Sequence, residues 1–441
     1  MVEKGESNLL TTDKVIWYAP TSGTTSKSKL FPKFVAPAAK QGPRFERVML
    51  FVCWCQDASI PLGVPITPGG IADFGAMIDA YPAKFVAPPE TYQISDFASA
   101  MYVQMVFGLK ESSLECILSG FCPTTLSAFT LLAQEWELMI TDIRNGTLKP
   151  SLNLTQSQRT VLEEAMGKPD PQRADELDAT LSKSMKQHNF KSVARHLWPK
   201  LSLVMAVAGG SFVTYIPQLQ HYLDDNIHIS APLYVASEEL FGINKWPYDS
   251  VSAYSLQTNQ IFFEFIPLAD SDSRNPQSVL LADEINAGEV YEIVVTTSGG
   301  LYRYRMGDLI KVLEERDTSE PPVIDVLGHM KLGLNICGEK VVEYQVTTTI
   351  AGLTGPGGPC NQSSIQDYMV TADMKSFPPV YQVWIEFSPR VCTGDTDSPS
   401  AILSEVAVYV DKKLAEMNTL CLLYTSPSPR DATLSRMPSS A

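Results

Sequence analysis

The stretch of sequence that decides the fold is a run of small hydroxyl residues followed by lysines, Thr21-Ser22-Gly23-Thr24-Thr25-Ser26-Lys27-Ser28-Lys29. Apolar residues lie on both sides of it, at 15–19 and 30–35, which predicts a strand, a tight loop and a second strand. Such a loop offers backbone N–H groups, hydroxyls and ammonium groups to an anion, and its glycine allows close backbone approach. The segment therefore predicts a triphosphate cradle, although a polar hairpin loop has the same composition.

The composition is that of an ordinary globular protein with an acidic surface. The chain has 441 residues, of which 44% are apolar and 19% charged, so it is long enough for two or three domains with a buried core. Its net charge of −15 and its pI of about 4.9 argue against a nucleic-acid partner or an anionic membrane surface. A small positive pocket for a nucleotide is compatible with this charge.

The cysteines and histidines form no metal-binding or disulfide pattern. One tight pair occurs among the eight cysteines, Cys53-Trp54-Cys55, and its spacing does not suit zinc. The histidines, at 188, 196, 221, 228 and 329, form no H-x-x-x-H or H-x-E pair. No apolar run reaches the length of a membrane span, and the N-terminus has no signal-peptide core. Reduced thiols and a cytoplasmic location are therefore predicted.

Strands and helices alternate along most of the chain, which predicts an α/β fold with parallel sheet. Residues 45–52 and 201–208 are apolar runs typical of buried strands, and the second run ends at a pair of glycines. A long helix is predicted from 124 to 145, closed by Gly146. The other predicted elements are helices at 72–80, 93–118 and within 155–192, and strands near 115–118 and at 233–236, 260–267, 290–297 and 309–313.

A change of composition after about residue 326 predicts a domain boundary. Residues 1–326 form the predicted large domain, and 327–419 form a smaller α+β domain that moves about a hinge at Leu327–Lys331. Its predicted elements are strands at 367–372 and 380–387 and a helix at 401–417. Residues 420–441 match no fold pattern, resemble translated cloning-adaptor sequence, and are predicted to be a non-native tail.

A tyrosine and a glutamate at the end of a predicted strand suit a nucleotide site. In Tyr234-Val235-Ala236-Ser237-Glu238, the aromatic ring could stack on adenine and the carboxylate of Glu238 could bind Mg²⁺. A core tyrosine and a solvated glutamate would give the same pattern. The second interpretation stays open for this segment taken alone.

Two glycine turns complete the set of candidate motifs. Gly209-Gly210-Ser211 follows a predicted strand and would let a backbone wall lie against a flat ring. In the segment 302–308, Asp308 follows Gly307 and could accept hydrogen bonds from ribose hydroxyls, while Arg305 could meet a phosphate. A surface arginine–aspartate pair is the alternative.

In this order, the segments resemble the three nucleotide motifs of the acyl-acid amido synthetases, which conjugate auxin, jasmonate or benzoates to amino acids. This family belongs to the acyl-adenylate-forming, luciferase-like superfamily. Its motifs are Ser/Thr-Ser-Gly-Thr, Tyr-x-x-Ser-Glu and Tyr-Arg-Tyr-Arg-x-Gly-Asp. Gly338-Glu339-Lys340 is similar to a lysine step in its small domain. Further similar stretches lie at 136–148, 197–199, 215–217 and 263–267, so the resemblance covers about residues 10–420.

The chain departs from the family pattern at several places. Thr21 stands where the family usually has serine, and Val235 and Ala236 replace small residues. The helical region that usually precedes the first motif is not found, and neither is a Gln-Tyr-Lys segment near the C-terminus. Truncation at both ends is therefore expected.

The resemblance implies a large adenylate-forming domain, a smaller lid domain, and an ATP- and Mg²⁺-dependent ligase. Thr24 and Thr25 would hold the β- and γ-phosphates, Glu238 would bind Mg²⁺, Asp308 would fix the ribose, and Lys340 would cover a phosphate. Lys340 and Glu238 are the predicted catalytic residues. The implied partners are a small carboxylic acid and an amino acid, with no nucleic acid and no membrane.

The acyl group is predicted to lie between the sheet edge and the helices at 93–140. Its candidate lining residues, each equally compatible with a plain core position, are Phe121, Leu126, Phe129, Phe212 and Tyr215. Two other functions stay open: an acyl-CoA-type ligase, and a catalytically weak nucleotide-binding relative.

Overall fold

The computed structural model of the chain describes residues 17–20, 30–33, 45–51, 58–59, 65–66, 77–271, 273, 275–314, 320–330, 341, 343–360, 365–373, 380–387 and 399–417. Its strands are β1 Trp17–Pro20, β2 Leu30–Lys33, β3 Val48–Phe51, β4 Ala58–Ser59, β5 Pro65–Ile66, β6 Cys116–Phe121, β7 Leu203–Val207, β8 His228–Ser230, β9 Leu233–Val235, β10 Leu240–Asn244, β11 Tyr254–Leu256, β12 Ile261–Pro267, β13 Val290–Thr297, β14 Tyr304–Val312, β15 Val323–His329, β16 Ile365–Asp373 and β17 Val380–Phe387. Its α-helices are α1 Phe97–Lys110, α2 Cys122–Asn145, α3 Gln156–Met166, α4 Pro171–His188, α5 Val193–Leu197, α6 Ile216–Tyr222, α7 Glu343–Thr354 and α8 Pro399–Met417.

A four-stranded parallel sheet, in the order β3-β6-β7-β8, forms the first core with the helices α1 to α6. All four residues of β3 are 0% exposed, as expected for a strand that is covered on both faces. The predicted strands at 45–52 and 201–208 and the predicted parallel sheet are confirmed.

Local interactions fix the ends of the helices that pack on the parallel sheet. Helix α2 ends at Gly146, whose φ of 67° is the left-handed conformation that glycine adopts at little cost, so the predicted C-cap is confirmed. Asp170 caps the start of α4 by accepting from the N–H of Arg173. The Trp198 indole N–H donates to the carbonyl of Gly108 at 2.9 Å, which ties α5 to α1.

The predicted helix at 93–118 is too long at both ends, and the strand predicted near 115–118 is confirmed. Helix α1 ends at Lys110, and residues 116–121 form β6. The Glu111 carboxylate accepts from both the N–H and the hydroxyl of Ser113, at 2.9 and 2.6 Å, and such local bonds compete with the helical pattern.

A seven-stranded antiparallel sheet, in the order β12-β13-β14-β15-β11-β10-β9, encloses a second core. The predicted strands at 233–236, 260–267 and 290–297 are confirmed. The strand predicted at 309–313 begins earlier, at Tyr304, because Tyr304 and Arg305 pair with Val295 and Val294 of β13. Six strands among the described residues were not predicted, namely β4, β5, β8, β10, β11 and β15.

The first two strands form an antiparallel pair in which Pro20 faces Leu30 and Trp17 faces Lys33. The predicted strand–loop–strand order is therefore confirmed at the strands. The connecting segment 21–29 lies outside the described residues. Strands β1 and β2 belong to a four-stranded sheet in the order β2-β1-β5-β4.

The C-terminal elements form a third core from α7, the antiparallel pair β16–β17, and α8. The predicted strands at 367–372 and 380–387 and the helix at 401–417 are confirmed. The predicted domain boundary at 326/327 falls inside β15, whose residues pair with β14 as far as His329.

Candidate active site

The carboxyl edge of the parallel sheet carries an open glycine turn. Strand β7 is followed by Gly209 and by a 3-10 helix, Gly210–Tyr215. Gly210 has a φ of 59°, and a Cβ added to it would meet nothing within 4 Å; one added to Gly209 would approach only the Val326 carbonyl and the Ser252 hydroxyl, at 3.8 and 4.0 Å. The turn thus presents backbone at the edge where ligands of α/β sheets bind.

Three aromatic residues lie together at this edge. The ring of Phe212 is 5.3 Å from that of Phe121 and 6.5 Å from that of Tyr215, and Phe121 is 51% exposed. Phe129, in contrast, is 0% exposed and packs between Trp198 and Tyr222. Of the predicted acyl-lining residues, the structure places Phe129 in the first core and Leu126 and Tyr215 partly buried against it. Phe121 is exposed, and Phe212 beside it is half-buried.

Two predicted site residues from distant strands meet directly. The hydroxyl of Tyr234 on β9 donates to the Asp308 carboxylate on β14 at 2.5 Å. The Tyr234 ring packs against Phe241 and Tyr254, with ring centroids 5.2 and 5.8 Å away, and the residue is 7% exposed. Little of the ring is open to a base in this arrangement, so the predicted stacking on adenine stays a prediction.

Asp308 lies in a strongly polar corner of the antiparallel sheet. Burial raises the pKa of this carboxyl, the Tyr234 hydroxyl and the nearby His329 lower it, and the carboxylates of Glu343 and Glu292 raise it further. His329 of β15 lies directly opposite Asp308 in the pairing of β15 with β14. Its imidazole packs on Gly307, where an added Cβ would come within 3.0 Å of Nε2, so only glycine fits here.

Arg305 is held by groups of the protein itself. Its guanidinium forms an ion pair with the Glu292 carboxylate and donates to the carbonyls of Ser273, at 2.6 Å, and Ser271. Arg303, with a φ of 45°, pairs with Glu264 at 2.9 Å. The predicted phosphate contact of Arg305 stays a prediction.

Ser237 and Glu238 follow β9 in the loop that leads to β10, and both are half-buried. The Glu238 carboxylate lies close enough to Tyr234 to raise the pKa of its hydroxyl, after the larger effects of burial and Asp308. Within the ranges given above, no group of three or more His, Cys, Asp or Glu side chains is arranged to hold a metal ion.

Several predicted site residues fall outside the part of the chain that the structure describes. Lys340 and the whole predicted phosphate loop, Thr21, Ser22, Gly23, Thr24 and Thr25, lie outside the described residues, and Ser211 is described by its backbone alone. Of the described residues, Asp308 pairs with His329 of β15 and contacts Tyr234, and Gly209 lies near Val326 of β15. The hydrogen bonds and ion pairs described above do not join Gly210, Ser237, Glu238 or Arg305 to this strand.

Sequence reasoning missed four polar residues in this region. The Ser252 hydroxyl donates to the Asp325 carboxylate at 2.5 Å, and burial raises the pKa of that carboxyl. The Glu343 carboxylate accepts from the backbone N–H of His329 at 3.3 Å. The pair Gly328-His329 was visible in the sequence, but its position opposite Asp308 depends on a strand register that the sequence does not show.

The fold is that of the adenylate-forming enzymes. The structure matches the AtGH3.15 acyl acid amido synthetase in complex with 2,4-DB with a TM-score of 0.79 at 20% identity, over 93% of this chain and 73% of that one. It matches a 2-hydroxyisobutyryl-CoA ligase in the postadenylation state with a TM-score of 0.50 at 13% identity, over 91% and 68% of the two chains. The predicted fold class is confirmed.

The chain belongs to the GH3 family. The GH3 family N-terminal domain matches residues 1–228, which is more than half of the 441 residues, and the GH3 family central domain matches residues 254–326. The family resemblance stated from the motifs is thus confirmed.

Curated relatives from plants extend the comparison. The putative indole-3-acetic acid-amido synthetase GH3.9 of Arabidopsis thaliana is 33% identical over 76% of this chain and 57% of its own length. The probable indole-3-acetic acid-amido synthetase GH3.1 of Oryza sativa subsp. japonica is 26% identical over 79% and 58%. The chain therefore spans somewhat less than three fifths of the length of these relatives. No helix in the described part of the chain has the length and apolar character needed to cross a membrane.

Proposed function

We propose that this chain activates a carboxylic acid with ATP as an acyl-adenylate and transfers the acyl group to the amine of an amino acid. The observation that carries the proposal is the contact of Tyr234 with Asp308, which pairs with His329 of β15, while the Gly209–Gly210 turn lies near Val326 of the same strand, in a chain of the GH3 family. The relatives named above as amido synthetases support the same activity.

The described residues suit a nucleotide. Asp308 is a half-buried carboxylate with a fixed orientation, which is what ribose hydroxyls need as an acceptor. The Gly209–Gly210 turn leaves its backbone open, since a Cβ added to Gly210 would meet nothing within 4 Å. Glu238 supplies one carboxylate, and Mg²⁺ in nucleotide sites is held by one or two carboxylates together with the phosphates. Mg²⁺ would supply neutralisation of phosphate charge.

The residues act by position and charge rather than through a covalent intermediate. A carboxylate is a poor electrophile. Its oxygen would attack the α-phosphorus of ATP and displace pyrophosphate, which gives an acyl-adenylate. The amine would then attack the acyl carbon and displace AMP. Asp308 would hold the ribose and Glu238 the metal, so that the acid meets the phosphate in line. The aromatic surface of Phe121, Phe212 and Tyr215 would receive the apolar part of the acid.

The C-terminal elements would close over this site. The Tyr215 hydroxyl donates to the Asp367 carboxylate of β16 at 3.4 Å, and the Gln218 amide donates to the Ile365 carbonyl. Helix α7 also packs on the 3-10 helix that follows Gly209. We propose that Lys340, which precedes α7, reaches a phosphate in one of the two half-reactions.

The test is exchange of labelled pyrophosphate into ATP, which reports acyl-adenylate formation alone. We expect exchange with indole-3-acetic acid or 2,4-DB, dependent on Mg²⁺ and lost in Asp308→Ala. Exchange that is absent with every acid, while ATP still binds, would support a nucleotide-binding relative instead.

A second measurement separates two ligase types. AMP release that depends on an added amino acid supports the amido synthetase, whereas release that depends on coenzyme A supports the CoA-ligase alternative, whose fold this chain also matches. We also propose, from the cysteine usage and the acidic net charge, a cytoplasmic location and no nucleic-acid partner.

A further inference from the structure

A cavity of about 370 Å³ lies at the amino edge of the parallel sheet, at the end of the strands opposite to the glycine turn that follows β7. Its lining includes Arg47, which precedes β3, the residues Lys110 and Glu111 at the end of α1, and residues of the segment 82–88. Strand β7 is five residues long, so the two edges of the sheet are about 16 Å apart. The cavity is therefore separate from the candidate active site.

Apolar residues make up most of the cavity lining. Phe85 and Phe107 are 5% and 6% exposed, and Val86 and Ala87 lie beside them in the lining. Part of this wall is tied to the parallel sheet, because Phe85 forms a β-bridge with Val48 and the N–H of Val86 donates to the Val48 carbonyl at 3.0 Å. The cavity therefore has a wall in a fixed position that suits the apolar body of a small ligand.

The charges of Arg47 and Glu111 neutralise each other. The Arg47 guanidinium donates from Nε to Glu111 Oε2 at 2.7 Å, and its Nη1 donates to the Ala83 carbonyl at 3.1 Å. The other oxygen of Glu111 accepts from the N–H and the hydroxyl of Ser113. This ion pair brings no net charge to the cavity, and both of its groups are held by the protein itself.

Lys110 brings a positive charge to the cavity without a carboxylate partner among the described residues. Its ammonium donates to the Met166 carbonyl at the end of α3, which uses one of its three donors. Burial lowers the pKa of Lys110, and the nearby charge of Asp170 opposes that effect. The half-buried ammonium thus leaves two donors and one unmatched charge for a ligand.

These features together select the chemistry of the ligand. A carboxylate matches one ammonium that has two donors to offer. A phosphate dianion suits the cavity less, because it would meet the Glu111 carboxylate with the charge of one lysine to offset it. The apolar wall favours a flat hydrocarbon body, and the volume of the cavity falls in the range of small-molecule sites.

We propose that this cavity binds a small apolar monocarboxylate, with the carboxylate on the Lys110 ammonium and the apolar body against Phe85 and Phe107. The inference does not depend on the proposed function, because the aromatic surface of Phe121 lies at the opposite edge of the parallel sheet. If the proposed function holds as well, the cavity is a second site for the class of compound that the protein activates.

The chain offers a matched control for the charge of Lys110. Lys84 lies next to Phe85 in the sequence, and its ammonium pairs with the Glu46 carboxylate at 3.1 Å instead of lining the cavity. Lys84→Met and Lys110→Met each remove one positive charge from this edge of the sheet. A difference between them therefore reports a local contact and not the change in net charge.

The experiment is calorimetric titration of the full chain with benzoate and with benzamide, a neutral compound of nearly the same shape. Both lysine variants are made in the Phe121→Ala protein, so that binding at the opposite edge contributes less. We expect Lys110→Met to weaken benzoate binding about tenfold or more, since a charge-assisted hydrogen bond is lost. Lys84→Met should stay within about twofold of its parent protein, and benzamide should bind more weakly than benzoate.

Three results would overturn the inference. The first is equal benzoate affinity in the two lysine variants, and the second is benzamide binding as tight as that of benzoate. The third is a chain that binds inorganic phosphate in a manner dependent on Lys110 but does not bind benzoate, which would show that the ligand class is wrong.

If Lys110→Met does not fold, a crystal structure of the unsubstituted chain with 4-bromobenzoate decides the matter, since the anomalous signal of bromine locates the ligand. The inference requires bromine against Phe85 or Phe107 and a carboxylate within hydrogen-bond distance of Lys110 Nζ. Bromine bound at the surface of Phe121 alone, or at neither place, overturns it.

Discussion

The parallel sheet is packed with apolar side chains, whereas the antiparallel sheet carries charged side chains in its strands. Around the parallel sheet, β3 is apolar and fully buried, and its neighbours are helices with apolar faces. In the antiparallel sheet, the carboxylates of Glu264, Glu292 and Asp308 lie in the strands, two of them paired with arginines and one with a tyrosine. The first sheet builds an apolar scaffold, and the second carries charged groups that its own arginines and tyrosine hold in place.

The largest expected effect is a loss of packing in the scaffold. Phe129→Ala should lower the free energy of unfolding by about 4 kcal/mol, because a fully buried ring leaves a cavity that its neighbours cannot fill. Urea unfolding followed by circular dichroism measures it. Phe121→Ala is the control, and its 51% exposure predicts a change of at most about 1 kcal/mol. Equal losses would show that Phe121 is also a packing residue.

The next effect concerns the ion pairs of the antiparallel sheet. Arg305→Met should lower the free energy of unfolding by about 3 kcal/mol, because it leaves the Glu292 carboxylate, 2% exposed, without its cation. Arg303→Met, two residues away, removes a guanidinium that is 52% exposed and should cost about 1 kcal/mol or less. The same unfolding measurement applies. Equal losses would show that burial does not decide how much each ion pair contributes to stability.

The smallest effect is a dependence of ATP affinity on pH. Because the pKa of Asp308 is raised by burial and by Glu343 and Glu292, against the opposing effects of Tyr234 and His329, the carboxyl gains a proton at a higher pH than the ordinary value of about 4. Only the ionised form accepts from both ribose hydroxyls, so ATP affinity should fall several-fold as the pH is lowered through the raised pKa.

The control for this dependence is Asp308→Asn, which has no carboxyl to titrate. Titration of the ATP phosphates affects both proteins alike, so the ratio of their affinities isolates Asp308. A ratio that stays constant from pH 7 down to the ordinary carboxyl pKa of about 4 would contradict the account. Binding at each pH can be measured by calorimetry.

The sequence allowed the scaffold to be predicted better than the antiparallel sheet, for a physical reason. The strand β3, the strand β7 and the end of α2 at Gly146 are specified by neighbouring residues, through apolar runs and a left-handed glycine. Strand β10 is interrupted by a bulge between Leu240 and Gly242, and β15 crosses a change of composition. Neither strand has a continuous local signal.

The candidate site was predictable as a set of residues but not as a geometry. The motifs drew attention to Tyr234 and Asp308, because their residue types suit a nucleotide. Their direct contact depends on the curl of a seven-stranded sheet, and the approach of His329 depends on the register of β15 against β14. These are long-range properties that no local pattern contains.

The central claim is that the antiparallel sheet holds the ribose of a nucleotide through Asp308. The direct test compares the binding of ATP and 2′,3′-dideoxy-ATP to Asp308→Asn and to Asp142→Asn, a buried carboxylate of the scaffold. We expect Asp308→Asn to lose about tenfold to a hundredfold in ATP affinity and to bind both nucleotides equally, with Asp142→Asn keeping the preference for ATP. An Asp308→Asn protein that still prefers ATP as strongly as the unsubstituted chain would contradict the account.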